Sequence, residues 1–160
     1  VVVGAALVSG SVLLALGLSG PSAAPGGDPA GRILTQLRSL EEAVPGDATG
    51  VSFAARPARR EGACPARPAD GGGWGPVAVT IGFAGTGGPS AVLVGVDGTL
   101  RALGWRPASP PAPGAGRWVK EVAPGVTAVA RLTQAPSAAG GRWTLTARAH
   151  PPGFRPPCPA

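Results

Sequence analysis

The chain has no tyrosine and no methionine, and only three phenylalanines and four tryptophans in 160 residues. So little aromatic surface predicts a small core and leaves no aromatic platform on which nucleobases could stack. There is one histidine, His150, and there are two cysteines, Cys64 and Cys158. A zinc site needs three or four converging Cys, His or carboxylate ligands, so no metal is expected. The cysteines lack Cys-x-x-Cys spacing, which argues against a redox dithiol. Acidic residues number eight, and none form an apolar-flanked pair of the glycosidase kind. Ser52, Ser90, Ser109 and Ser137 lack a Gly-x-Ser-x-Gly elbow. Gly85-Thr86-Gly87-Gly88 has the place of a phosphate loop but neither its Lys-Ser/Thr nor a GxGxxG spacing, so it reads as a turn. These absences predict a non-enzyme with no cofactor.

Lysine is nearly missing as well, with Lys120 alone, so the net charge of +6 is carried by arginine. A basic balance suits a polyanionic partner. Nucleic acid is disfavoured, because no basic helix and no arginine run beyond Arg59-Arg60 is present. Glycine (27) and proline (20) are plentiful, which predicts long irregular connections around a core of modest stability.

The most ordered stretch is Gly75 to Trp105. Val77, Val79, Ile81 and Phe83 alternate with Ala78, Thr80, Gly82 and Ala84, the period of a half-buried strand. The glycine turn follows. A helix then starts at Ser90, or at Gly88 with Pro89 as its first residue. Its apolar stripe is Leu93, Val96, Leu100 and Leu103 with Val92 beside them, and Asp97 and Arg101 pair four apart on the other side. Gly104 is placed to end it, with Trp105 folding back on the last turn.

Ahead of this unit, Val1 to Leu18 is an uncharged apolar run long enough to span about 27 Å as a helix, close to a bilayer core. Residues 1–19 are read as a single-pass transmembrane anchor, with chain upstream of Val1 expected. The alternative is a secretory signal cut near Ser22-Ala23-Ala24, giving a secreted protein. Residues 20–46 read as a linker and a short amphipathic helix. Asp28-Pro29 starts that helix, Ile33, Leu34, Leu37, Leu40 and Val44 form its stripe, and Pro45-Gly46 stops it. Its expected place is against the domain.

Residues 47–160 read as one domain outside the cytoplasm. Val51 to Arg56 is a first strand with Val51 and Phe53 facing inward, followed by a loop to Gly73. After the central unit come strands Arg117 to Val122, Val126 to Thr133 and Arg142 to Ala149. Ala123-Pro124-Gly125 makes the hairpin turn between the first two. Trp105, Trp118 and Trp143 are assigned to the core. The expected fold is α+β, an N-terminal transmembrane helix followed by a small two-layer antiparallel sheet packed with one main helix, as a split, ferredoxin-like plait.

Cys64 follows the first strand and Cys158 the last. If those strands are neighbours or share an edge the sulfurs meet, and a bond closing so long a loop stabilises by roughly 4–5 kcal/mol in the chain-entropy model. A disulfide suits a compartment outside the cytoplasm; two unpaired thiols are the alternative. The loop cysteine, the alternating-valine strand, the stretch P-x-x-V-L-x-x-V-D-x-x-L-x-x-x-G-W at Pro89 to Trp105, W-T-L-T-A at Trp143 and the final cysteine together resemble small membrane-tethered or exported proteins of GC-rich actinobacteria. That family is uncharacterised. The resemblance, over Asp47 to Cys158, implies an envelope location and paired cysteines, and no activity.

Two roles follow as expectations. One is an accessory or interaction module of the cell envelope, tethered to the membrane and meeting an envelope protein or polymer. The other is a binder of a small ligand or anionic envelope polymer, with Arg56, Arg59, Arg60 and Trp74 as candidate contacts. An apolar or arginine-lined pocket would favour the binder, and a filled core with a flat surface the accessory module.

Overall fold

The computed structural model describes residues 28–58, 60–61, 73–110, 112, 114–135 and 141–154. The proposed anchor over 1–19, Arg59, Cys64 and Cys158 lie outside the described residues. No helix among the described residues is long and apolar enough to cross a membrane.

Helix α1 (Pro29–Arg38) begins as its sequence dictates. The Asp28 carboxylate accepts a bond from the Ala30 N–H at 3.0 Å, and Pro29 occupies the first turn. A 3-10 stretch, Ser39–Ala43, continues it, and Ile33, Leu37 and Leu40 are fully buried along the shared stripe. Strand β1 (Thr49–Arg56) follows. The short strands β2 (Arg60–Glu61) and β3 (Gly73–Trp74) form a separate two-stranded ladder. Strand β4 (Val77–Ala84) leads through the glycine turn into helix α2 (Pro89–Ala102). Strands β5 (Arg106–Pro107), β6 (Ala115–Ala123), β7 (Val126–Gln134) and β8 (Arg142–Ala149) complete the chain.

The fold is α+β: a six-stranded sheet in the order β1-β4-β8-β7-β6-β5, antiparallel throughout, with two helices on one face. Helix α1 packs over β4, β8 and β6, and α2 over β6 and β5. This departs from the split, ferredoxin-like plait with one main helix. Strands β5, β6, β7 and β8 are successive neighbours in the sheet, a meander in which Pro124-Gly125, with Gly125 at φ 71°, reverses the chain at once between β6 and β7 and leaves no room there for a second crossover helix. The second helix of the layer comes instead from ahead of β1. Helix α2 carries the chain from β4 across three strands to β5, which runs in the same direction as β4.

The α2 ends follow sequence-level capping. Gly88 precedes Pro89 at the start. At the finish Gly104 has φ 84°, its N–H bonds the Arg101 carbonyl at 2.9 Å, and the Trp105 N–H bonds the Leu100 carbonyl at 2.9 Å. This paired closure requires a left-handed residue, which glycine supplies without steric cost.

The core lies between the sheet and the helices. Val77, Val79, Ile81 and Phe83 of β4 meet Trp143, Leu145 and Ala147 of β8, then Ala128, Ala130 and Leu132 of β7, all buried. Trp105, Trp118 and Trp143 are in it. Strand β1 corrects the expectation of inward burial for Val51 and Phe53. Phe53 stands opposite Ile81, on the helix side, yet Val51 is 54% and Phe53 40% exposed. The reason is position: β1 is the sheet's margin, and the helices lie over the inner strands.

One polar tie locks the layers. The Trp118 indole N–H on β6 donates to Asp97 on α2 at 2.7 Å, and Arg101 holds the other carboxylate oxygen at 2.7 Å. Partial burial pushes the Asp97 carboxyl up, but the Trp118 bond, the Arg101 bond and the Arg101 charge together outweigh it and hold the group below its ordinary 3.8. A carboxyl depressed in the folded state stabilises fully above its unfolded value and loses that contribution as pH falls through the folded one. The urea midpoint is therefore expected to drop below about pH 4. In Asp97→Asn that drop should be shallower, since the amide oxygen still accepts from Trp118 but no longer titrates. Parallel pH profiles of the two proteins would exclude this role for Asp97.

Candidate functional site

Alternation in the strands puts a second set of side chains on the sheet face away from the helices. On β4 these are Ala78, Thr80 and Gly82, on β8 Arg142, Thr144, Thr146 and Arg148, on β7 Thr127, Val129, Arg131 and Thr133, and on β6 Arg117, Val119 and Glu121. Strand β1 adds Ser52, Ala54 and Arg56, and β5 adds Arg106 opposite Val119. An antiparallel sheet commonly leaves one face to solvent, with polar residues on it. Here the polar residues are of few kinds: arginine, threonine and serine, with Glu121 the one carboxylate among the described strand residues of this face.

The charge is one-sided. Arg56, Arg106, Arg117, Arg131, Arg142 and Arg148 are all exposed on this face. None is ion-paired to a described residue; the Arg101–Asp97 pair is on α2. The single strand carboxylate on this face among the described residues, Glu121, accepts the Gly125 N–H at 3.0 Å and so braces the hairpin turn. Asp28, Glu41, Glu42 and Asp97 belong to the helical layer.

A hollow of about 460 Å³ lies in the face, lined by Thr80, Arg117, Thr127, Arg131, Thr146, Arg148 and His150, with Ala78 and Val129 among them. Arg117 and Arg131 are direct cross-strand partners. Like charges opposite one another oppose pairing, so this contact is one that an anion would relieve. Thr146 stands beside Arg131 in register, and its hydroxyl reaches the Arg131 carbonyl at 3.5 Å. His150, at the end of β8, packs its ring against Phe154 with centroids 4.0 Å apart. The polar residues that share the hollow with His150 are arginine and threonine, and the lining holds no carboxylate or serine among the described residues. Arginine guanidiniums offer forked donors matched to phosphate, sulfate or carboxylate oxygens, and threonine hydroxyls add neutral donors. The hollow suits oxyanion binding.

Of the candidate contacts read from sequence, Arg56 is on this face. Arg60 and Trp74 face each other across the β2–β3 ladder by backbone pairing, while Arg59 lies outside the described residues. Arg106, Arg117, Arg131 and Arg148 are not singled out by sequence reasoning. The available signal is phase: Arg131 and Arg148 fall on the polar phase of strands whose other phase is apolar, whereas β6 also carries Lys120 on its helix-facing phase, so Arg117 is less clearly marked. Among the described residues no three His, Cys, Asp or Glu side chains converge as a metal site would require.

Comparison with protein-family models, with curated proteins and with solved structures gave no match for this chain.

Proposed function

We propose that this protein is a binding module of the cell envelope whose open sheet face takes an anionic polymer. The observation that carries the reading is the arginine-lined hollow, with no carboxylate among its described lining residues, on a sheet face that the two described helices leave uncovered. It favours the binder over the accessory module with a flat surface. Nucleobase recognition is disfavoured, since no described strand residue on this face is aromatic. In this proposal residues 1–19 tether the domain on the outer side of the membrane, and Cys64 and Cys158 are joined, although β4 lies between β1 and β8, so the bond has to be bridged by the segments that follow those strands. The resemblance to exported actinobacterial proteins adds to that part.

The binding half is tested with the 160-residue chain in neutral detergent, titrated with dextran sulfate and with uncharged dextran. Expected is binding to dextran sulfate alone, weakening steeply between 0.05 and 0.5 M salt as exposed charges are screened (roughly a tenfold range of ionic strength). Equal binding to the two polymers, or binding indifferent to salt, would sink the reading. The tether and the bond are tested by non-reducing mass spectrometry of the membrane fraction. A bonded chain retaining Val1 to Leu18 is expected, and free thiols would remove the extracytoplasmic placement.

A further inference from the structure

The arginines are not scattered over the open face. Arg56, Ala78, Arg148, Val129, Val119 and Arg106 are successive direct cross-strand partners, so they form one transverse row from β1 to β5. The next row on the same face runs Ala54, Thr80, Thr146, Arg131, Arg117. Each strand except β4 thus contributes one arginine to a two-row band, and β4 contributes the small residues Ala78 and Thr80. Between Arg148 and Arg106 the first row has Val129 and Val119, and there the second row supplies Arg131 and Arg117. Along any one strand, by contrast, the neighbours on this face within the band are threonine, alanine or valine. The positive charge runs perpendicular to the strands.

Resting on the anion-binding reading, we infer that the ligand is a linear polyanion laid across the strands, with its charges following Arg56, Arg148, Arg131, Arg117 and Arg106 in turn. Five inter-strand steps of about 4.8 Å give the track a length of about 24 Å. The hollow with Arg148, Arg131 and Arg117 is its middle, and Arg56 and Arg106 are its ends. A compact oxyanion fills the middle only. A chain longer than the track reaches both ends, and its affinity stops growing there. Arg142 is an internal control. It lies on the same face, four residues along β8 from Thr146, the cross-strand partner of Arg131, so the nearest arginine of the band is about 14 Å away, still beyond the Debye length of about 8 Å at physiological salt.

The test uses the same chain in neutral detergent at 0.15 M salt, with pyrophosphate and inorganic polyphosphate fractionated by length as probes. Affinity is expected to rise at least about tenfold from pyrophosphate to chains that span the track, then level off. Arg56→Glu and Arg106→Glu should each weaken long-chain binding about tenfold and reduce the logarithmic salt slope by about 1, leaving pyrophosphate binding unchanged. Arg142→Glu should change neither. If Arg142→Glu weakens long chains as much as Arg56→Glu does, the face acts as a diffuse field and the track is wrong. If affinity is indifferent to length while pyrophosphate still binds, the track is likewise wrong and the hollow alone is the site. Failure of every probe to bind, even at low salt, removes the anion reading itself and the track with it.

Discussion

Trp118→Ala is expected to lower unfolding free energy by about 3–5 kcal/mol, read as a fall in the urea midpoint. A domain of this size holds about 5–15 kcal/mol in all, so the variant is left near the edge of folding. The size of the effect comes from three roles of one side chain. The indole is fully buried between β6 and α2. Its ring lies over Gly116, two residues earlier on the same strand face, where an added Cβ would run into the ring's Cη2. Its N–H donates to Asp97, whereas the buried N–H groups of Trp105 and Trp143 have no partner among the described residues. Two milder changes separate the roles. Trp118→Phe keeps most of the volume and loses the bond, for about 1–3 kcal/mol. Gly116→Ala keeps the bond's partners but displaces the ring, for about 1–3 kcal/mol. If Trp118→Phe costs as much as Trp118→Ala, the hydrogen bond carries the tie and the packing argument fails.

The contrast between β4 and the arginine band shows what kind of information the sequence holds. Val77 to Ala84 and Arg142 to Ala149 are recognisable as strands because their signal is local: alternation within eight residues sets both element and phase. The α2 caps are equally local, as Pro89 and Gly104 act on their own turns. Strand order is different in kind. Nothing between Arg56 and Arg148 in the chain says that β8 lies two places from β1, because β8 reaches the side of β4 only as the last strand of a meander. The sequence suggests a plait because the step from β4 through α2 to the strand at Arg117 looks like a crossover, whereas α2 strides over three strands to the short β5, which sequence reasoning leaves in a connection, and β6 then runs opposite to β4. Burial at the margin is also non-local: Phe53 has the right phase, and only the extent of the helical layer leaves it exposed. The arginine row is unreadable for the same reason. Each arginine is a plain outward residue of its strand, and only the register aligns them.

Arg117→Glu is expected to move binding and stability in opposite directions. In the native sheet Arg117 faces Arg131 across the β6–β7 pair, and both are exposed without an ion-pair partner among the described residues. Glutamate at 117 turns that repulsion into an opposed pair of unlike charges. Cross-strand pairs of this kind are worth about 0.2–1 kcal/mol, so the urea midpoint should rise slightly. For a polyanion the same change takes away the Arg117 guanidinium and engages Arg131 with the new carboxylate. Two arginines withdrawn from the polymer, at about tenfold each, predict about a hundredfold weaker dextran sulfate binding, or roughly 2.7 kcal/mol. A structural arginine would lose stability on reversal, and an idle surface arginine would change neither quantity. Only a residue kept against the interest of the sheet, because an anion lies on it, shows the two shifts with opposite sign. Unchanged affinity in a more stable Arg117→Glu protein would mean that the hollow is not where the polymer sits.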